Sequence, residues 1–83
     1  MKIILAPLAA RDLKEAHDFI ARDNPEAAGR VLAELTATLG LLGSRRIQGR
    51  SVTLRSGQRV RTWFHPPYRI YYRIAGEELQ VVR

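Results

Sequence analysis

A four-residue segment, Asp23-Asn24-Pro25-Glu26, constrains the fold of this chain more than any other feature. On both sides of it, apolar residues recur at helical spacing, over residues 8–22 and 25–42. Asn24 is a favoured helix cap, and the proline that follows it suits the first turn of a helix. Because the connection is so short, we expect the two amphipathic helices to lie side by side as an antiparallel hairpin.

The residues outside the hairpin show the patterns of β-strands. Strands are predicted at residues 2–6, 59–65, 68–74 and 79–82, with a weaker candidate at 51–55. Pro66-Pro67 interrupts the alternating pattern and predicts a chain reversal. The predicted fold class is α+β, with an N-terminal strand, an antiparallel helical hairpin and then a three- to four-stranded antiparallel sheet. We expect residues 1–83 to form one domain, built as one helical layer on one sheet.

Alternation along the two longest predicted strands divides their side chains between two faces. One set contains Val60, Thr62, Phe64, Ile70, Tyr72 and Ile74, and the other contains Arg59, Arg61, Trp63, His65, Arg69, Tyr71 and Arg73. We expect the first, mostly apolar set to lie under the helices, with Phe64 and Tyr72 in the core. The side chains expected to project together from the uncovered side are Arg61, Trp63, Arg69, Tyr71 and Arg73.

The charge of the chain is divided unequally between its two halves. Residues 44–83 carry nine arginines and two acidic residues, a net charge of +7, whereas residues 1–43 carry −1. A division this sharp in a small domain predicts one face that binds an anionic partner. Aromatic rings set among arginines favour a nucleic acid or an acidic protein over a small-molecule substrate. The alternative is a solvated sheet face whose arginines serve solubility only.

The residue types present argue against several classes of site. The chain has no cysteine, and its two histidines, His17 and His65, lie on different predicted elements, so the usual metal-ligand clusters are missing. There is no glycine-rich phosphate loop and no serine with an evident base and acid. We therefore expect neither a metal nor a cofactor. No apolar run approaches the length of a membrane span, about 20 residues, and no signal-peptide pattern is present, so we expect a cytoplasmic protein.

Catalysis by the arginines would require a second kind of group. A guanidinium can stabilise the charge that develops on phosphate during RNA cleavage, but the reaction also needs a general base. Tyr71 and His65 are the only nearby candidates for that base. The residues favour binding and leave catalysis open.

The order of motifs along the chain resembles that of one known family. Residues 23–28 read Asp-Asn-Pro-Glu-Ala-Ala, a Val-Arg pair occupies residues 60–61, and residues 68–74 read Tyr-Arg-Ile-Tyr-Tyr-Arg-Ile. With Leu-Gln-Val-Val-Arg at residues 79–83, this pattern is similar to the RelE/ParE superfamily of bacterial type II toxins. Each motif is weak alone, but their order and spacing over nearly the whole chain are fairly specific.

The resemblance implies a toxin that a cognate antitoxin neutralises in a hetero-oligomeric complex. RelE-like members are ribosome-dependent mRNA endonucleases, whereas ParE-like members inhibit DNA gyrase and are not enzymes. The Asn-Pro-Glu-Ala-Ala junction and the long hairpin favour the ParE-like branch. Of the RelE-like catalytic set only the arginine of the Tyr-Arg pair has a match, at Arg69. Family members continue past the position of Arg83, so a natural end and a truncated, less toxic chain are both open interpretations.

On the ParE-like interpretation, two surfaces carry the function. The residues expected to bind gyrase are Arg61, Trp63, Arg69, Tyr71 and Arg73. The residues expected to contact an apolar segment of an acidic antitoxin are Leu13, Ile20, Leu32, Leu35, Leu39 and Val81. The last strand is a candidate docking edge. The alternatives are a ribosome-dependent mRNA endonuclease, a homologue that only binds its antitoxin, and a basic nucleic-acid-binding domain.

Overall fold

The two helices occupy the positions that the sequence predicts. The computed structural model describes all 83 residues. Helix α1 spans Pro7–Ala21 and helix α2 spans Pro25–Gly43. Asn24 Oδ1 accepts a hydrogen bond from the Ala27 N–H at 3.1 Å, which confirms it as the cap of α2. Neither helix is long and apolar enough to cross a membrane.

The sheet contains five strands, namely the N-terminal strand and an antiparallel part of four strands, as many as the upper prediction. They are β1 Lys2–Leu5, β2 Arg50–Thr53, β3 Arg59–His65, β4 Tyr68–Ala75 and β5 Glu78–Val81. Their order across the sheet is β1-β5-β4-β3-β2, and only the β1–β5 pair is parallel. The α+β fold with its N-terminal strand and helical hairpin is thereby confirmed.

The topology corrects the expectation about the last strand. After α2 the chain enters the sheet at β2 and returns strand by strand, so that β5 lies between β4 and β1. Both sides of β5 are therefore paired, and it offers no free edge for docking. The free edges of the sheet belong to β1 and β2.

The register between β3 and β4 corrects the predicted faces. His65 lies opposite Tyr68, because the two strands are joined by Pro66-Pro67 alone. Residues directly opposite each other in an antiparallel pair share a face. By this register Arg61 lies opposite Tyr72, and Trp63 lies opposite Ile70. Arg61 and Trp63 are thus on the helix-covered face, and the expectation that they project beside Arg69, Tyr71 and Arg73 is wrong.

The core lies between the helical hairpin and one face of the sheet. It consists of Ala9, Leu35, Leu39, Leu42, Ile70, Tyr72, Leu79 and Val81. Tyr72 is 1% exposed, which confirms its predicted place in the core, and Trp63 packs against the cluster. Phe64 was expected in the core, but the register places it opposite Arg69 on the other face, and it is 52% exposed.

Candidate functional site

The side of the sheet that the helices leave uncovered forms the first candidate surface, hereafter the open face. Its central side chains are Arg50, Thr62, Phe64, Arg69, Tyr71, Arg73 and Gln80. Arg50 and Tyr71 both lie opposite Thr62, on its two neighbouring strands. Neighbouring strands are about 4.8 Å apart, so these groups form one continuous surface.

The arginines of the open face have no acidic partners. None of the five ion pairs in the molecule includes Arg50, Arg69 or Arg73, and all three side chains are exposed. The Arg69 Cζ atom lies 5.0 Å from the centre of the Phe64 ring, within cation–π range. Arg69 Nη1 also donates to Thr62 Oγ1 at 3.4 Å. These contacts hold Arg69 over the sheet with an aromatic ring beside it, as suits an anionic or planar partner.

Arg61 has a different environment, at the loop that joins α2 to β2. Its Nη1 donates to the Gly49 carbonyl oxygen at 2.9 Å. The Gln48 side chain, oriented with its oxygen towards the guanidinium, accepts from Arg61 Nη2 at 3.0 Å. The Gly49 N–H in turn donates to the Tyr72 hydroxyl at 2.7 Å. Arg61 therefore holds the loop against the sheet and does not contribute to the open face.

His65, one of the two candidate bases, also faces the helices. Its Nε2 lies 3.4 Å from Glu34 Oε2, and its Nδ1 lies 3.5 Å from Thr38 Oγ1. The Thr38 hydroxyl donates to the Glu34 carbonyl oxygen at 2.9 Å and is buried, so it is not an accessible nucleophile. Tyr71 is the one candidate base on the open face. No group of three His, Cys, Asp or Glu side chains is placed to hold a metal ion.

An apolar groove between the hairpin and the sheet forms the second candidate surface. It has a volume of about 120 Å³, and nine of its 13 lining residues are hydrophobic. Four of the six residues expected to contact an antitoxin line it, namely Leu13, Leu35, Leu39 and Val81. Ile20 and Leu32 do not line it.

Charged side chains lie at the border of this groove. Asp12, Arg69 and Arg83 contribute to its lining. Arg83 Nε is 3.5 Å from Asp12 Oδ2, an ion pair that connects the end of the chain to α1. Arg69 is also among the residues that line the groove, while its side chain contacts Phe64 and Thr62 on the open face.

The comparison with protein families assigns this chain to one group. Residues 3–83 match the family described as the ParE toxin of the type II toxin–antitoxin system parDE. The chain belongs to the ParE toxin family. The match covers both helices and all of the sheet except Lys2, so the resemblance seen in the motifs is confirmed for the ParE branch.

A solved structure supports the same fold. A chain of the chromosomal ParDE toxin–antitoxin system from P. aeruginosa superposes with a TM-score of 0.75 at 23% identity, over 100% of this chain and 91% of that chain. At this identity the likeness establishes the fold. No curated protein sequence matches the chain.

Four residues of this ParE-family chain's open face lie outside the set predicted from the sequence, namely Arg50, Thr62, Phe64 and Gln80. Phe64 was assigned to the core, although the two-residue link at Pro66-Pro67 pairs it with Arg69. Counting back from that link would have placed it correctly. Arg50 was not assigned to any face, because β2 is joined to β3 through the longer segment 54–58, whose hydrogen bonds set the register.

Proposed function

We propose that this chain is the toxin of a two-component system, that it binds DNA gyrase through the open face, and that an antitoxin neutralises it from the apolar groove. The observation that carries the proposal is that Arg69 belongs both to the open face and to the lining of the groove. An antitoxin segment that contacts Arg69 from the groove would compete with gyrase for this residue. Membership of the ParE family supports a toxin, and the resemblance implies gyrase as its target.

The groove favours a particular kind of antitoxin segment. Its lining is mostly apolar and includes two arginines, Arg69 and Arg83, the second of which is paired with Asp12. An amphipathic helix with apolar anchors and one or more acidic side chains at its rim would satisfy both features. The net charge of the toxin, +6, adds a long-range attraction for an acidic partner.

The open face favours binding over catalysis as the toxic mechanism. Three arginines without acidic partners, Arg50, Arg69 and Arg73, fit an acidic protein surface or the phosphates of gyrase-bound DNA. A nuclease would need a general base near Arg69; the imidazole of His65 faces the helices, which leaves the Tyr71 hydroxyl as the one candidate on the open face. Because gyrase acts on chromosomal DNA, the proposed site of action is the bacterial cytoplasm.

The test compares variants of the open face in a purified gyrase assay. We expect the wild-type chain to inhibit supercoiling, and Arg73→Ala to raise the concentration needed for half inhibition about tenfold, the effect of losing one charge-assisted contact. Arg30→Ala is the matched control, since Arg30 is an exposed arginine on α2, and its inhibition should match the wild type.

Expression in cells separates the alternatives. DNA damage and filamentation with translation initially intact would support the proposal. A block of translation with cleaved mRNA would overturn it in favour of an mRNA endonuclease. Tight antitoxin binding with neither effect would identify a homologue without a toxic target.

A further inference from the structure

A second cavity lies on the helix-covered side, beyond the end of α2. Its volume is about 350 Å³, which falls in the range of small-molecule sites, roughly 300–1,000 Å³. Its lining residues are Leu42, Arg45, Ile47, Gln48, Arg61, Tyr72 and Ile74. It shares no residue with the apolar groove or with the open face as defined above.

The charge in this cavity has one sign only. Arg45 and Arg61 both line it, and no acidic residue does. Neither arginine takes part in any of the five ion pairs of the molecule. Arg61 is half-buried, and its guanidinium has more N–H donors than its contacts with Gly49 and Gln48 use. A partly buried positive charge without a counter-ion favours the binding of an anion.

The backbone of Arg45 supplies an independent observation. Arg45 has a φ of 64°, the only positive φ of a non-glycine residue in the chain. It follows the cap of α2, where the Arg46 N–H bonds to the Leu41 carbonyl and the Arg45 N–H bonds to the Leu42 carbonyl. This is the Schellman arrangement, whose left-handed position strongly favours glycine. An arginine held there against its backbone preference, with its side chain at a cavity, indicates a role for that side chain.

The C-terminal end of α2 repels an anion less strongly than a helix end whose carbonyl groups lack hydrogen-bond donors. The Leu41 carbonyl oxygen accepts from the Arg46 N–H and from Ser44 Oγ, each at 3.1 Å. The Leu42 carbonyl oxygen accepts from the Arg45 N–H at 3.2 Å. These donors cover the partial negative charge at the end of α2.

We propose that this cavity binds a small phosphate monoester, with Arg45 and Arg61 as the residues that hold the phosphate group. A monoester carries a charge of about −1.5 to −2 at pH 7, which matches two guanidiniums, whereas a carboxylate or a phosphodiester carries one negative charge. Leu42, Ile47 and Ile74 supply an apolar wall for the organic part of the ligand. The site is independent of the proposed gyrase contact.

The test measures binding of adenosine 5′-monophosphate to the full chain by calorimetry. Arg45→Gly removes the guanidinium and also relieves the left-handed backbone, so this variant should unfold at a higher temperature than the wild type in the absence of ligand. It should nevertheless bind the monophosphate about tenfold more weakly, the effect of losing one charge-assisted contact. Arg61→Lys keeps the charge but loses the planar fork, and should also weaken binding.

Arg46→Ala is the matched control, because it removes an equal charge from the next residue, which does not line the cavity. Its affinity should stay within about twofold of the wild type, since exposed charges contribute little. Equal losses in Arg46→Ala and Arg45→Gly would mean diffuse attraction and would overturn the site. The site would also be overturned if Arg45→Gly bound the monophosphate with wild-type affinity, or if the wild type did not bind it.

Separate titrations with acetate and with a short DNA duplex distinguish the ligand classes. Arg45-dependent binding of either that is tighter than that of the monophosphate would overturn the monoester assignment.

Discussion

Gly49 lies where the loop before β2 comes closest to the sheet. A Cβ atom at this position would overlap the Thr62 carbonyl oxygen and come within 2.9 Å of the Tyr72 hydroxyl. The same residue donates its N–H to Tyr72 and accepts from Arg61, so two buried or half-buried polar side chains depend on its position. Only glycine allows this approach, and the loop that carries Arg45 and Gln48 is held in place through it.

Substitution of this glycine should therefore destabilise the protein. We expect Gly49→Ala to lower the free energy of unfolding by roughly 2–3 kcal/mol, because the clash is with backbone and cannot be relieved by a side-chain rotation. Gly29→Ala is the control, since nothing lies within 4 Å of the corresponding Cβ in the second turn of α2. It should raise the stability by roughly 0.5–1 kcal/mol through helix propensity. Denaturant unfolding of both variants measures the difference, and a loss of equal size at both positions would contradict this account.

At the scale of the elements, the sequence predicts which segments are helices and which are strands better than it predicts the register between neighbouring strands. The Asn24 cap and the helical periodicity defined both helices, because these signals are local. Alternation divides the side chains of β3 and of β4 correctly within each strand. It does not give the register between the two strands, and the predicted pairing of their faces is wrong by one residue. A slip of one residue exchanges the faces, and for this reason Arg61 and Trp63 were exchanged for Thr62 and Phe64.

The groove depends on packing between elements that are distant in the sequence, and the sequence predicted it in part. Leu13, Leu35 and Leu39 follow helical spacing on α1 and α2, and four of the six expected contact residues line the groove. Spacing alone does not reveal which residues of each helix line the groove. Ile20 lies near the end of α1, and Leu32 lies on the half-exposed side of α2, so both fall outside the lining.

Leu13 provides the sharpest test of the groove as an antitoxin site. Leu13→Asp places a carboxylate among apolar side chains, where a bound segment would bury it without a partner. We expect the affinity for the cognate antitoxin to fall by roughly 100-fold. Phe19→Asp makes an equivalent change on the same helix outside the groove, at a side chain that is 71% exposed, and should have little effect. Calorimetry measures the antitoxin affinity of both folded variants. Similar losses of affinity in the two variants would mean that the antitoxin binds outside the groove.

At the scale of the whole molecule, the two layers differ in charge. The helical hairpin with β1 and its connections, residues 1–43, carries −1, and the remaining strands and loops carry +7. The molecule measures 38 × 27 × 20 Å, which exceeds the screening length of about 10 Å at 0.1 M salt. A partner that approaches the sheet therefore experiences the local arginines more strongly than the net charge of the chain.

This division of charge predicts how association depends on salt and on the position of a charge. Raising the ionic strength from 50 to 500 mM should slow association with gyrase, the proposed partner of the open face, by about tenfold or more, since steering falls steeply with screening. Arg50→Ala and Arg22→Ala change the net charge equally, but Arg50 lies on the open face and Arg22 follows α1. We expect Arg50→Ala to slow association at low salt and to flatten its salt dependence, and Arg22→Ala to leave both nearly unchanged. Stopped-flow measurements of the association rate constant at several salt concentrations compare the two variants. If the rate constants of both variants depended on salt identically, net charge would govern association and the position of the charge on the sheet would not.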